Sequence, residues 1–239
     1  MLKLLRQNRA QIDREMEEVT DRLYFSPIFY AQYKLVPTLI KRYLRGKVID
    51  LGCGTMPFRS SVSDAVSVYH GLDIAQKSAA ITLIGDVQNL SMLADASYDS
   101  AICLEVLEHL PEPALAVAEM QRILKPGGTL IISVPHLSRL HDLPHDYYRF
   151  THIGLRHILE KQGFTILELH TKGGLFTFLG HQISTILVAA TWSMPRIRPI
   201  VWQLNKWLIT LGFYYTDKIF DKSGTFAAGY VAVARKSAG

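Results

Sequence analysis

Acidic residues recur at the ends of short apolar runs in the first half of this 239-residue chain. Asp50 lies near the end of KVIDL (47–51), Asp73 ends SVYHGLD (67–73), and Asp86 follows AITLI (80–84). Directly after the first run, Gly52-Cys53-Gly54 breaks the chain into a turn. Glycines there let the backbone approach a ligand closely, because no Cβ intervenes. A carboxylate at the end of a strand can accept from an ammonium group, a pair of ribose hydroxyls or an exocyclic amine. The chemistry is that of holding a nucleoside. A dinucleotide turn, however, needs a third glycine beside the pyrophosphate. Thr55, Met56, Pro57 and Phe58 follow instead, so a pyrophosphate is disfavoured and a nicotinamide dehydrogenase is the weakest reading.

A nucleoside with an amino-acid tail suits the turn better, and S-adenosylmethionine is such a ligand. Asp50 would face its ammonium group. Asp73, about 20 residues further on, has the spacing of a ribose-binding carboxylate. Asp86 would accept from the adenine amino group while the next backbone N–H, that of Val87, donates to the ring. Transfer of its methyl group needs a nucleophile aligned behind the methyl and water kept out. A hydroxyl nucleophile also needs a base. The loop PHLSRLHDLPHDYYRFT (135–151) offers His136 and His145 as bases, since imidazole titrates near neutrality. Arg149 would clamp a carboxylate or phosphate bidentately. Tyr147 and Tyr148 would stack on a ring, and His109 would face the same pocket. The His/Asp spacing in this loop matches no metal motif, so no metal site is expected.

These residues must be positioned by an alternation of strands and helices. Strands are expected at 47–51, 67–73, 80–84, 98–103, 128–134, 164–170 and 229–235, the pattern of a mostly parallel sheet wrapped by helices. PEPALAVAEMQRILKPGG reads as a helix with proline near its start and glycine at its end. THIGLRHILEKQG reads as another, with Thr151 as N-cap and Gly163 as its stop. Residues 2–23 read as an exposed helix. A further helix begins at Pro27 behind Ser26, and Pro37 would kink it or end it early. The expected domains are N-terminal helices at 1–45, a ligand-binding α/β domain at 46–171 and 226–239, and a helical insertion at 172–225.

The segments VIDLGCG, GLDI, GDVQNL, YDSAICLEVLEHL and LKPGGTLIISVPH follow one another in an order that resembles the class I S-adenosylmethionine-dependent methyltransferases, in their type 11 branch. The resemblance covers roughly residues 45–170. It implies a Rossmann-like seven-stranded sheet with helices on both faces and an antiparallel last strand. It also implies cofactor contacts at Asp50, Gly52, Gly54, Asp73, Asp86, Leu104 and Glu105, with Cys53, Ile74 and Val87 in the same set. Met56 departs from the glycine common at its position, which puts the packing of the turn in question. PHDYYRFT resembles a bacterial subgroup associated with cell-envelope glycan and glycolipid genes. Together with the polar loop at 135–151 and the basic, apolar segment after residue 171, these motifs lead to the expectation of methylation at an oxygen of a small or lipid-linked acceptor.

The net charge of +5 is unevenly placed. Met1–His170 holds 18 basic and 19 acidic residues, and Thr171–Gly239 holds 8 basic and 2 acidic. The basic third is also apolar: LFTFLGHQISTILVAATW and RPIVWQLNKWLITLGFYY approach the roughly 20 residues of a bilayer span. His181, Gln182, Ser184, Gln203, Asn205 and Lys206 interrupt them, so two amphipathic helices on a surface fit better than two spans. The insertion would dock on an anionic membrane, line a tunnel for a lipophilic substrate, cap the site or form a homodimer interface. Nucleic acid is a weaker partner: no Asn-Pro-Pro-Tyr-like segment follows the fourth strand, and neither cysteine follows a proline. A non-catalytic cofactor-binding or membrane-interaction protein is the third alternative. Two buried-looking cysteines and no signal-peptide apolar run imply a cytoplasmic setting, with the inner face of the membrane as the docking place.

Overall fold

The computed structural model describes residues 7, 8, 11, 12, 15, 20–76, 78–221 and 223–237. It divides into two compact units, Val36–His170 with Gly229–Gly239 and Met1–Leu35 with Thr171–Ala228.

The first unit is built on a seven-stranded sheet: β1 (Gly46–Leu51), β2 (Val66–Asp73), β3 (Leu83–Ile84), β4 (Tyr98–Leu104), β5 (Leu124–Pro135), β6 (Phe164–Thr171) and β7 (Gly229–Lys236). Their order is β3-β2-β1-β4-β5-β7-β6. β1 lies parallel to both β2 and β4, β4 is parallel to β5, and β7 runs antiparallel to β5. Strand order reverses at β1, whose carboxyl end is therefore a crevice between diverging connections, where ligands bind in such sheets. β1, β4, β5 and β7 carry near-continuous runs of buried residues, as strands covered on both faces must.

Three elements depart from the sequence expectation. The helix over PEPALAVAEMQRI, α2 (Pro113–Ile123), stops before the glycines, because Leu124-Lys125-Pro126-Gly127 joins β5 instead. A residue preceding proline is pushed out of the helical region, and Leu124 already sits at ψ 140°. The earlier helix, α1 (Pro27–Tyr43), does not end early: Pro37 lies inside it. The third strand is short, reaching only Leu83–Ile84. α3 (His152–Lys161) is capped as expected, with Thr151 Oγ1 accepting the Gly154 N–H at 3.0 Å and Gly163 at φ 83° behind it.

The second unit holds α4 (Leu175–Thr191), α5 (Arg198–Leu204), a π-helical stretch (Asn205–Leu211) and α6 (Gly212–Phe220). Most of the 2–23 helix lies outside the described residues; of those described, Asn8 and Ile12 are buried rather than exposed. Ile12 packs with Phe25, Val188, Ala189 and Trp192. Four backbone N–H groups at the start of α4 have no partner within the helix. Asp217 accepts those of Gly174, Phe176 and Thr177 at 2.7–2.8 Å, and Asp221 accepts that of Leu175 at 2.7 Å. In the π-helical stretch, residues five apart come into line. Asn205 and Thr210 both reach the Tyr24 carbonyl, at 3.0 and 2.9 Å.

This unit buries polar side chains and exposes large apolar ones. Thr177, His181, Ser184, Asn205, Thr210 and Asp217 are buried, and His181 Nδ1 is 2.8 Å from Ser26 Oγ. Ile186, Ile200, Trp207, Leu208, Ile219 and Phe220 are 61–73 % exposed. No described helix is long and apolar enough to cross a membrane.

Candidate active site

β1 is an apolar strand that ends in one acid, and the fold buries that acid. Asp50 is 6 % exposed, and burial pushes its carboxyl up to about 6, against the Tyr69 hydrogen bond and with the nearby Asp73 charge adding to the rise. Tyr69 Oη donates to Asp50 Oδ2 at 2.7 Å. Immediately beyond, Gly52 (φ 68°) and Gly54 (φ 52°) take backbone conformations that favour glycine. A Cβ at Gly52 would meet Val106 just past β4, whereas a Cβ at Gly54 would meet nothing within 4 Å. The turn thus packs against the end of β4 on one side and is bare on the other. Asp73 closes it, with Oδ2 accepting the Gly54 N–H at 2.9 Å. The other oxygen, Oδ1, accepts the Ala75 N–H at 3.4 Å.

Met56 resolves the question of the turn. It adopts φ 55°, the conformation a glycine would take, and its side chain is buried with Cys53 and Ile81 against Tyr69. The space comes from β2, where Gly71 stands beneath Met56 Cε and Cys53 Sγ. Cys53 belongs to this packing under the turn: its thiol is buried and its N–H donates to Leu72 O at 3.1 Å. Cys103 is fully buried, and burial raises its thiol.

The remaining expected cofactor residues sit at the neighbouring strand ends. Ile74, directly after Asp73, is 68 % exposed, an apolar side chain held out beside an acid. Gly85 N donates to Asp73 O at 3.1 Å, which brings Asp86 next to that corner. Asp86 folds its own turn: Oδ1 accepts the Gln88 N–H at 2.8 Å, and Val87 is buried. Arg122 of α2 fixes the following loop through Leu90 O and Leu93 O at 2.7 and 2.8 Å. Leu104 ends β4. Glu105 follows at φ 55°, held by Ser133, whose Oγ donates to Glu105 Oε1 at 2.6 Å.

The loop after β5 is anchored at both ends. Phe150 N donates to Pro135 O at 3.0 Å, and Tyr147 N donates to Glu108 O at 2.8 Å. Arg149 does not present a free fork to an acceptor, as the sequence had led us to expect. Its five N–H groups go to Asp146 (Oδ1 and Oδ2, 2.5 and 2.7 Å), Ser138 O, Arg139 O and Tyr148 O. Arg149 holds the Asp146 carboxyl far below the usual carboxylate range. It is a brace of the loop.

The histidines divide into two groups. His136 lies beside Tyr230 and His152 and has a buried Nδ1; burial lowers its imidazole below the ordinary value, so it is neutral near pH 7. His145 is exposed, with Nδ1 3.3 Å from Tyr147 Oη, and its carbonyl lies 2.5 Å from His109 Nδ1. Tyr147 and Tyr148 are 48 and 40 % exposed with ring centres 6.3 Å apart, and Tyr148 Oη donates to Pro111 O at 2.9 Å. Sequence reasoning did not single out Tyr69, Val106, Ser133, Glu108 or His141. Glu108 adjoins His109 and His141 adjoins Asp142, pairs whose meeting depends on how the two loops fold together.

The turn, the flanking acids and the exposed Ile74 are a fit for a nucleoside with a cationic tail. Residues 49–132 match the model of the family described as "Methyltransferase domain". Over 101 residues the chain is 30 % identical to a ubiquinone biosynthesis O-methyltransferase of Paracidovorax citrulli, a match covering 36 % of this chain and 42 % of that one. The chain thus spans less than half the length of that curated relative. Among solved structures, it resembles the [4+2]-cyclase SpnF with a TM-score of 0.59 at 19 % identity, over 87 % of this chain and 82 % of that one. It also resembles the Burkholderia thailandensis 1,6-didemethyltoxoflavin-N1-methyltransferase, solved with S-adenosylhomocysteine. The TM-score is 0.55 at 17 % identity, over 99 % of this chain and 88 % of that one. At such identities the likeness is one of fold.

Proposed function

We propose that this chain, which through residues 49–132 belongs to the class I S-adenosylmethionine-dependent methyltransferases of the type 11 branch, methylates an oxygen of a small or lipid-linked acceptor. The observation that carries the reading is the corner built from Asp50, the Gly52–Gly54 turn and Asp73 at the reversal point of the sheet. S-adenosylmethionine, when bound, supplies an electrophilic methyl group on a sulfonium. Asp50 holds the ammonium end, since a buried carboxylate gains most from a cationic partner. Asp73 accepts from the ribose hydroxyls, Ile74 covers one face of the adenine, and Asp86 with the Val87 N–H reads its edge. Glu105, locked by Ser133, shapes the wall between this corner and the loop 136–151.

On the acceptor side, His136 is a neutral imidazole able to take a proton at pH 7. His145 is a second base candidate, and Tyr147 and Tyr148 offer exposed rings to a planar or sugar acceptor. Arg149 acts as a positioning residue through Asp146. Oxygen is favoured because the curated relative is named as an O-methyltransferase, and a lipophilic acceptor because that name places it in ubiquinone biosynthesis.

The unit formed with Thr171–Ala228 supports docking on an anionic membrane. Its exposed Ile186, Ile200, Trp207, Leu208, Ile219 and Phe220 are accompanied by Arg196, Arg198, Lys206 and Lys218. Basic residues among exposed apolar ones on helices are what an interface of lipid headgroups and acyl chains selects. Lys206 Nζ lies 4.0 Å from the Tyr24 ring centre, so its stem runs along aromatic surface. A phosphate track on nucleic acid has no use for so many exposed aliphatic side chains.

The test is incubation of the protein with membrane and soluble extracts and methyl-labelled donor. Label in the solvent-extractable lipid or small-molecule fraction, in an alkali-stable ether or methoxy group, supports the reading. Label confined to nucleic acid, or none above a heat-treated control, refutes it.

A further inference from the structure

We infer that Glu108, His109 and His141 form a binding site for one divalent transition-metal ion, Zn²⁺ by preference, at the junction of the loops after β4 and β5. Glu108 is fully buried. His109 Nε2 lies 3.6 Å and His141 Nε2 3.9 Å from the same oxygen, Glu108 Oε1, and one ligand atom from each residue falls within 4.8 Å of the others. Around a tetrahedral ion with bonds of about 2.0–2.1 Å, neighbouring donors stand roughly 3.3 Å apart. The two imidazole nitrogens need to approach Glu108 Oε1 by about 0.3 and 0.6 Å, and each other by no more than about 1.5 Å.

The outer contacts orient both rings. His109 Nδ1 is 2.5 Å from the His145 carbonyl, a group that only accepts, so Nδ1 is the donor there and Nε2 is the nitrogen turned toward Glu108. His141 Nδ1 lies 3.3 Å from Arg139 O and 3.5 Å from Asp146 Oδ2, again acceptors. Arg149 Nη2 is 3.5 Å from the same Nδ1, but its hydrogens are engaged by Arg139 O and Asp146 Oδ2. A histidine whose far nitrogen donates to a carbonyl or carboxylate is the arrangement seen around protein-bound metals. It also gives the Asp146–Arg149 brace a purpose: it fixes the acceptor that sets the His141 ring.

Two imidazole nitrogens and one carboxylate oxygen select Zn²⁺ or a neighbouring transition ion over Mg²⁺ or Ca²⁺, which take oxygen sets. Three protein ligands leave a position open. The exposed Asp142, with Oδ2 3.9 Å from His109 Nε2, borders that position. There an acceptor hydroxyl would bind the ion and lose its proton more readily. That last role rests on the methyl-transfer reading; ion binding does not.

The experiment uses the full chain, stripped with a chelator, and Co²⁺ as a spectroscopic probe, followed by Zn²⁺ competition in calorimetry. The site predicts one equivalent of Co²⁺ with visible d–d bands of low coordination number, displaced by Zn²⁺. It predicts more than ten-fold weaker binding in both His109→Gln and His141→Gln. X-ray absorption of the Zn²⁺-loaded wild-type chain must show two imidazoles, a readout that does not depend on the variants folding. Absence of a stoichiometric ion, a spectrum without imidazole, or unchanged affinity in folded variants overturns the site. Binding of S-adenosylmethionine to the stripped protein, measured alongside, separates failure of this site from failure of the methyltransferase reading.

Discussion

Met56 and Gly71 form an exchanged pair: the methionine occupies a backbone conformation made for glycine, at φ 55°, and lies over the bare Cα of Gly71 on β2. A Cβ on Gly71 would overlap Met56 Cε. A third glycine in the turn, in place of Met56, would leave the space above Gly71 without a side chain. Here a flexible thioether fills the gap, a use to which methionine is suited.

Gly71→Ala should therefore destabilise the chain by about 1–3 kcal/mol, the usual cost of overpacking. Met56→Ala combined with it should recover at least half of that loss, because the two changes share one space. Chemical denaturation of the two single variants and the double variant checks this. A harmless Gly71→Ala would show that the turn is not packed as described.

Cofactor affinity should depend on pH through Asp50. Its folded carboxyl lies at about 6, above the ordinary 3.8, so its contribution to stability is present below 3.8 and lost as pH rises through about 6. At neutral pH the buried anion is a cost until a cation meets it. Asp50→Asn should raise the melting temperature of the cofactor-free protein at pH 7. It should also weaken S-adenosylmethionine by about 2 kcal/mol, roughly thirty-fold. Wild-type affinity should strengthen as pH rises through about 6 and the variant's should not, as calorimetry across that range will report.

Arg149→Lys keeps the charge but loses the planar fork that grips Asp146. We expect the segment 137–148 to become a preferred site of limited proteolysis, cut several-fold faster, with the melting temperature of the chain nearly unchanged. Unaltered proteolysis would mean that the brace does not order the loop. Asp146→Asn should behave alike, since it removes one side of the same pair.

Membrane docking predicts flotation with vesicles containing anionic lipid and little with neutral ones. Trp207→Glu together with Leu208→Glu should abolish it, since both side chains are more than 60 % exposed in the folded chain. If the double variant still floats, the helical face is not the anchor. If the wild type fails to float but self-associates, and the variant is monomeric, the face is an interface between copies.

Most of the sheet was legible in the sequence, because β-branched runs ending in Leu51, Asp73 and Cys103 carry their own boundaries. Misjudged segments were those where proline and glycine pull against periodicity: Pro126 sent LKPGG into β5, and Pro37 stayed inside α1. The structure places Asp50 and Asp73 on β1 and β2, and their strand-end positions were readable from spacing. Arg149 was not, because its partner Asp146 is three residues away and only the folded loop turns the fork inward. Nor was the Glu108–His109–His141 cluster, whose members lie on two separate loops. The apolar helices looked amphipathic in the expected sense, yet the fold turns His181, Ser184 and Asn205 inward and leaves Ile200 and Trp207 outside.

The central claim is that the Asp50–Gly52–Gly54–Asp73 corner holds S-adenosylmethionine. Calorimetric titration of the purified chain at pH 7 tests it most directly, with S-adenosylmethionine in one cell and NAD in another. One equivalent of S-adenosylmethionine bound at micromolar affinity, weakened by Asp73→Asn, with no heat from NAD, is the predicted result. No binding of S-adenosylmethionine, or tighter binding of NAD, would contradict it.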